Sequence, residues 1–284
     1  MVKGLGRILG IGLIGLLLLL PSPFAQADKG VEPLVFDQSS GAIAVLSFYE
    51  TDPATQADAV KSFYKTTKSF YKTIPGFYGL ALLSSTDGAR VVELSQWQDQ
   101  ASYEAFEASL TSASGSKEDY TKYYEQYATA QGGSKGSKGG QGKANATVEL
   151  GQPLVTRFYS VDQVVSPPGM VSAIPGTMAL VQISDITTDA DHFISLEAAA
   201  QTALADLSQF YPAPRTAILL AELEANHIAV LANWGSVAEF SDLGQVPQIT
   251  LAEDDSEAAS FTTDARLYQT VKVIAPKVEQ YGKG

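Results

Sequence analysis

Two intervals of equal length, Pro75 to Trp97 and Pro212 to Trp234, limit what this chain can fold into more than any other feature. Each spans 22 positions, and both landmarks are offset by 137. A helix breaker and an aromatic repeated at one spacing point to a structural unit used twice, so the element order around each interval has to agree. In the first copy, residues 42–50 are an apolar and aromatic run (Ile43, Val45, Leu46, Phe48, Tyr49) that predicts a strand. Asp52-Pro53 predicts a helix start, because Asp accepts from free amides and Pro suits the first helical position. Val60, Phe63, Tyr64, Thr67, Phe70, Tyr71 and Ile74 then recur every three or four residues, as on one helix face. Pro75-Gly76 stops that helix, residues 77–84 and 90–97 read as a hairpin about Thr86-Asp87-Gly88, and Asp99 predicts the cap of a second helix bearing Tyr103, Phe106 and Leu110.

The second copy follows the same order: a strand over residues 178–184 and a helix over 188–210, which Pro212 ends. A hairpin over 216–223 and 227–234 follows, then a helix capped by Ser236 with Val237, Phe240 and Leu243. A fourth strand completes each unit, since residues 157–167 align without gaps to 266–276 and share Arg157/Arg266 and Tyr159/Tyr268. There the offset is 109, so the first copy carries 28 extra residues, which we place around the Gly/Ser/Lys-rich segment near 131–147, a composition that predicts a flexible loop. The βαββαβ order predicts an α+β fold of two ferredoxin-like units, each covering one sheet face with helices and each needing a partner for the other face. Two units in one chain can supply it, forming an intrachain pseudo-dimeric α+β barrel. The expected boundaries are a leader over 1–27, an N-terminal extension over 28–40, a first domain over 41–168 and a second, diverged domain over 176–278.

Lys3 and Arg7, the uncharged apolar run 8–20 and the small-x-small triplet Ala25-Gln26-Ala27 form the pattern of a cleaved secretory signal, which predicts export to a periplasmic, lumenal or extracellular space and no membrane association after cleavage. The run is also too short for a spanning helix, which takes roughly 20 residues. The formal net charge is −12, and lower by two once Lys3 and Arg7 leave with the leader. Such a surface repels phosphate backbones and argues against nucleic acid as a partner. The absence of cysteine excludes disulfides, thiolate metal sites and a thiol nucleophile, and two histidines supply little metal or acid–base chemistry. Asp185, Asp189, Asp191 and His192 lack the glycine turn of an EF-hand and read as helix capping, and Glu253, Asp254, Asp255 and Glu257 read as a solvated loop. No metal site is expected, and a small-molecule ligand is the expected partner. The sequence leaves open whether the duplicated chain also dimerises.

The stretch Ile74-Pro-Gly-Phe-Tyr-Gly-Leu, a glycine turn, and Glu93-Leu-Ser-Gln-Trp-Gln-Asp-Gln-Ala-Ser-Tyr103 resembles the antibiotic biosynthesis monooxygenase family of dimeric α+β barrels. The first copy matches over most of residues 42–110, whereas the second keeps the Trp234 segment but has Pro212-Ala213-Pro214 in place of Pro-Gly-Phe. The resemblance implies a cofactor-free monooxygenase acting on an electron-rich phenol or quinol, with Trp97 and the Tyr103 six positions on at its site. Glu93 stands where those enzymes carry Asn four positions before the Trp. Glu107 and Gly244 stand where heme-degrading members carry His, which argues against heme chemistry.

Strand alternation puts Glu93 and Trp97 on one face, so Glu93 is a candidate base: a carboxylate against an aromatic pocket has its pKa raised and can act on a phenol. The alternative is a strand carboxylate that reaches solvent or pairs with Arg157. The candidate catalytic residues are thus Trp97, Tyr103 and Glu93, with Tyr49, Phe77, Tyr78 and Arg157 as candidate substrate contacts. Trp97 has a simpler reading as packing, since Trp234 holds the equivalent position, and Arg157 has one as an ion pair, since Arg266 does. The Phe63/Phe70 and Tyr64/Tyr71 stripe reads as core or as a ligand wall, and Tyr120, Tyr123, Tyr124 and Tyr127 form a similar stripe. An enzyme and a non-catalytic binding or interaction module on the same fold both accommodate these residues.

Overall fold

Strand β2 (Ile43–Glu50) shows why the strands of this protein are apolar throughout and not in alternation: seven of its eight residues are buried. Ala44, Leu46 and Phe48 face one core, while Ile43, Val45 and Tyr49 face another, so both surfaces of the sheet are covered. The computed structural model describes residues 33–67, 71, 74–113, 150–209, 212–223, 226–247, 249, 251 and 261–275. The leader, Phe70, the tyrosines at 120–127, the Gly/Ser/Lys insertion and the acidic loop at 253–257 lie outside the described residues.

The elements follow as β1 (Leu34–Val35), β2, α1 (Gln56–Thr67), β3 (Phe77–Ser85), β4 (Arg90–Trp97), α2 (Gln100–Ala113) and β5 (Val155–Val165). Then come β6 (Ala173–Ile174), β7 (Ala179–Thr188), α3 (Phe193–Asp206), β8 (Thr216–Glu222), β9 (His227–Ser236) and β10 (Phe261–Ile274). Eight strands close an antiparallel barrel in the order β10-β3-β4-β2-β5-β8-β9-β7. Within each half the order is second-third-first-fourth, the ferredoxin-like arrangement. The halves join where each fourth strand leaves its own first strand to pair with the other half's second: β5 with β8, and β10 with β3. Closure leaves neither half with an unpaired sheet edge.

The register reproduces the offsets read from sequence. Leu46 pairs with Leu94 and with Arg157; 137 positions on, Ile183 pairs with Leu231, and with Arg266, which lies 109 after Arg157. Even the irregularities correspond: β5 carries an extra residue at Asp162 and β10 one at Val271, again 109 apart. Such bulges bend a strand and help close a barrel.

Local chemistry explains the ends of elements. Asp52 accepts from Ala54 N at 2.7 Å, but it opens a turn, and α1 starts at Gln56. The helix expected to run to Pro75-Gly76 is α1 over Gln56–Thr67 only, with Tyr71 in a 3₁₀ conformation; Gly76 has φ +75°, and a Cβ there would lie 2.5 Å from Ser102 Oγ, so both conformation and the close approach of α2 call for glycine. Asp99 caps α2 by accepting from Ser102 N at 2.7 Å. Two further expectations need correction. The helix expected over 188–210 is α3 plus a 3₁₀ turn at Leu207–Gln209, because Thr188 still belongs to β7 and Asp189 captures the amides of Asp191 and His192 in a turn. After Ser236 there is a capping box with Glu239, but only 3₁₀ turns at Val237–Glu239 and Leu243–Gln245. A second cap at Asp242 and the nearby Gly244 and Pro247 break the run before an α-helix can propagate.

The barrel interior is apolar at its waist, with Leu46, Leu83, Leu94, Ile183, Leu220 and Leu231. One end is plugged by the ribbon of β1 and β6, whose Leu34 and Ile174 are both 1% exposed and belong with Phe36 to the same core. Leu34 and Phe36 therefore contribute to the core of the barrel. The other end, where β2, β3, β7 and β8 finish, is lined by charged side chains.

Candidate functional site

Strand β4 sorts its side chains by parity. Val92 and Leu94 enter the barrel, and Val91 and Trp97 pack beneath α1 and α2 with Phe77, Tyr103 and Phe106. Glu93 has the parity of this outer face. It is 7% exposed, and both carboxylate oxygens are held: Tyr71 Oη donates to Oε1 at 2.8 Å and Tyr49 Oη to Oε2 at 3.2 Å. Burial pushes the Glu93 carboxyl above its ordinary value; the two phenols oppose this, and the charge of Glu107 adds to it. The phenols of Tyr71 and Tyr49 are pushed up in turn, chiefly by burial and then by the Glu93 charge.

Beside this group stands an aromatic cluster centred on Trp97. Its ring meets Phe77 at 5.2 Å, Tyr103 edge-on at 5.3 Å and Phe106 in a stack at 5.1 Å, and its Nε1 donates to Ser95 Oγ at 3.0 Å. Tyr103 donates to Glu107 at 2.9 Å and meets Phe158 edge-on at 5.1 Å; burial and then Glu107 push its phenol up. The arrangement offers a proton acceptor in a dry, aromatic setting, flanked by three phenols.

Of the residues singled out from sequence, Tyr49, Phe77, Glu93, Trp97 and Tyr103 come together here. Tyr78 is half-buried at the bulge between Phe77 and Gly79 and is not in this cluster. Arg157 shares the barrel-side parity of its partner Leu46, on the other side of the sheet from Glu93, and its cationic head is engaged by Asp185 at 2.6 Å. An ion pair between Glu93 and Arg157 is thereby ruled out. Sequence reasoning missed the roles of Tyr71, Ser95 and Glu107. The parity of β4 pointed to Ser95, whereas only the tertiary path of the segment between α1 and β3 brings Tyr71 onto Glu93.

The second half keeps the scaffold without the polar group. At the 137 offset, Tyr49, Glu93, Ser95 and Tyr103 become Ile186, Val230, Ala232 and Phe240, all within one apolar cluster. Trp234 retains the Trp97 position and donates to Gln182 at 3.2 Å. The paired phenol–carboxylate chemistry is thus a property of the first half.

No protein-family model matches the chain, and no curated protein matches it in sequence. Solved structures do match in fold. An anthrone oxidase-like protein superposes with a TM-score of 0.54 at 13% identity, over 86% of this chain and 97% of that one. A candidate monooxygenase from Fusobacterium nucleatum subsp. nucleatum superposes at 0.49 with 7% identity, over 82% of this chain and 94% of its own. The chain has the ferredoxin-like α+β barrel fold, and its structural neighbours are monooxygenase-like proteins.

Proposed function

We propose that this is an exported, tandemly duplicated member of the antibiotic biosynthesis monooxygenase family that oxidises a phenolic or quinol small molecule with dioxygen and no cofactor, at the first half only. The observation that carries the reading is Glu93: a buried carboxylate with a raised pKa, oriented by two phenols beside an aromatic cluster, in one half and absent from the other. Glu93 removes the proton of the substrate hydroxyl, and the resulting oxyanion is electron-rich enough to reduce dioxygen. One oxygen atom enters the ring as a carbonyl and the other leaves as water, so a phenol becomes a quinone without an outside reductant. Tyr103 and Trp97 border the substrate ring, and Tyr49 and Tyr71 hold the base in place.

Oxygen uptake by the purified chain with a hydroxyarene or hydroquinone tests this. Glu93→Gln should abolish uptake, and Trp97→Phe combined with Tyr103→Phe should do the same. Full turnover in Glu93→Gln would remove the base from the mechanism. A second reading, a non-catalytic small-molecule-binding module, is favoured by the complete enclosure of Trp97 among Phe77, Tyr103 and Phe106. It requires equal ligand binding by the wild type and Glu93→Gln, with no oxygen consumed by either. Export is tested separately by the N-terminal residue of the secreted form, which should be Asp28.

A further inference from the structure

A second polar group sits at the mouth of the barrel, at the end opposite the β1–β6 ribbon and on the other side of the sheet from Glu93. Strands β5, β7, β8 and β9 deliver Arg157, Tyr159, Asp185, Glu222 and His227 to it. Arg157 reaches across the barrel to Asp185 Oδ2 at 2.6 Å and lies 3.9 Å from Glu222 Oε1. Glu222 Oε2 stands 2.7 Å from His227 Nδ1. The pseudo-equivalent group, around Arg266 and Tyr268, is well paired. There Asp264 takes Arg90 at 2.6 Å and Arg266 at 2.9 Å, and Asp87 lies 3.2 Å from Arg266.

The first group is not paired in this way. Tyr159 Oη and Asp185 Oδ1 are buried without a hydrogen bond, and Tyr159 is 0% exposed. Leaving such atoms unsatisfied costs about 1–3 kcal/mol each, more where the group is charged. Yet the ion-pairing side chains remain 12–19% exposed, so the group is reachable from solvent. The ratio of carboxylates to guanidinium groups also differs: Arg90 and Arg266 face Asp87 and Asp264, whereas Arg157 is the one guanidinium facing both Asp185 and Glu222. Burial pushes the Glu222 carboxyl up, against the opposing pull of His227 and Arg157 beside it. At the 137 offset Asp185, Glu222 and His227 replace Phe48, Ser85 and Arg90, so the imbalance belongs to one half.

We propose that the barrel mouth binds a small primary ammonium ion. Its N–H groups match the unpaired oxygens of Asp185 and Tyr159, and its charge offsets the second carboxylate that Arg157 faces. A neutral polyol supplies the donors without the charge, and an anion meets Arg157 already engaged. The chain's net charge of −12 further concentrates cations near it.

The chain has two histidines, so ring resonances of His227 report on the mouth and those of His192 serve as the internal control. Titrating the full chain with ethylammonium at constant ionic strength should shift the His227 signals saturably and leave His192 unmoved. Asp185→Asn should weaken this by about tenfold and Tyr159→Phe by about threefold, whereas Glu93→Gln should retain wild-type affinity. Equal shifts at both histidines, the same saturable shift with ethylene glycol or acetate, or unchanged affinity in folded Asp185→Asn would each overturn the proposal. Loss of oxygen uptake with retained ethylammonium binding would instead bear on the Glu93 pocket alone.

Discussion

Replacing Glu93 by Gln should change how stability depends on pH while leaving the packing in place. The Glu93 carboxyl is held above its ordinary value of 4.5, first because burial strips water from the charged form; the bonds from Tyr71 and Tyr49 reduce the shift without reversing it. The folded chain therefore binds this proton more tightly than the unfolded chain. Well below pH 4.5 the group is neutral in both states. As the pH rises the unfolded chain ionises first, and stability is lost until the pH passes the folded pKa, above which the loss is constant. The limiting slope inside that window is about 1.4 kcal/mol per pH unit. Gln keeps the shape, accepts from one phenol, offers an N–H to the other and does not titrate. Urea unfolding of both proteins at intervals from pH 4 to 8 should give similar m values and a stability difference that moves toward Glu93→Gln as the pH rises. Glu222, whose carboxyl is also raised by burial, is present in both proteins, so its contribution cancels in the difference. A difference that stays flat across the range would refute the reasoning, and with it the claim that Glu93 is tuned to act as a base.

Three further outcomes are expected. Glu93→Val installs the residue of the second half but orphans two phenols, and should destabilise by about 1–3 kcal/mol per phenol; adding Tyr49→Phe and Tyr71→Phe should recover most of that loss in denaturant unfolding. Gly79→Ala places a Cβ 2.6 Å from Leu34 Cδ1 and should cost about 1–3 kcal/mol through overpacking. With Leu34→Ala the double variant should lose less than the sum of the singles, a non-additivity that a double-mutant cycle reads directly. Arg157→Met leaves Asp185 and Glu222 without their shared cation and should cost about 3–5 kcal/mol in chemical unfolding, with much of it recovered by Asp185→Leu in the same chain.

Much of the architecture was legible because it is written in local chemistry. The bounds of β4 and the Asp99 cap depend on residues within a few positions of one another, and the parity that puts Glu93 and Trp97 on one face needs only strand periodicity. The same parity applied to β5 would have set Arg157 on the barrel side with Leu46, but it becomes informative only once the barrel assigns inside and outside to each strand. The helix expected after Ser236 failed for a different reason: its capping box is real, but nothing in the cap decides whether a second turn will follow.

The sequence by itself determined the order of the eight barrel strands along the chain, the doubled spacing at offsets of 137 and 109, and the inequality of the halves at Pro75-Gly76-Phe77 against Pro212-Ala213-Pro214, because each is a property of position and residue type along one dimension. Tertiary structure alone decided that β5 crosses to β8 and β10 to β3, that Leu34 and Ile174 plug one end, that Tyr71 donates to Glu93, and that Arg157 spans the barrel to Asp185. These contacts join residues far apart in sequence. Nothing local selects them; they form because closing the barrel buries both sheet faces at once and so brings those side chains within reach.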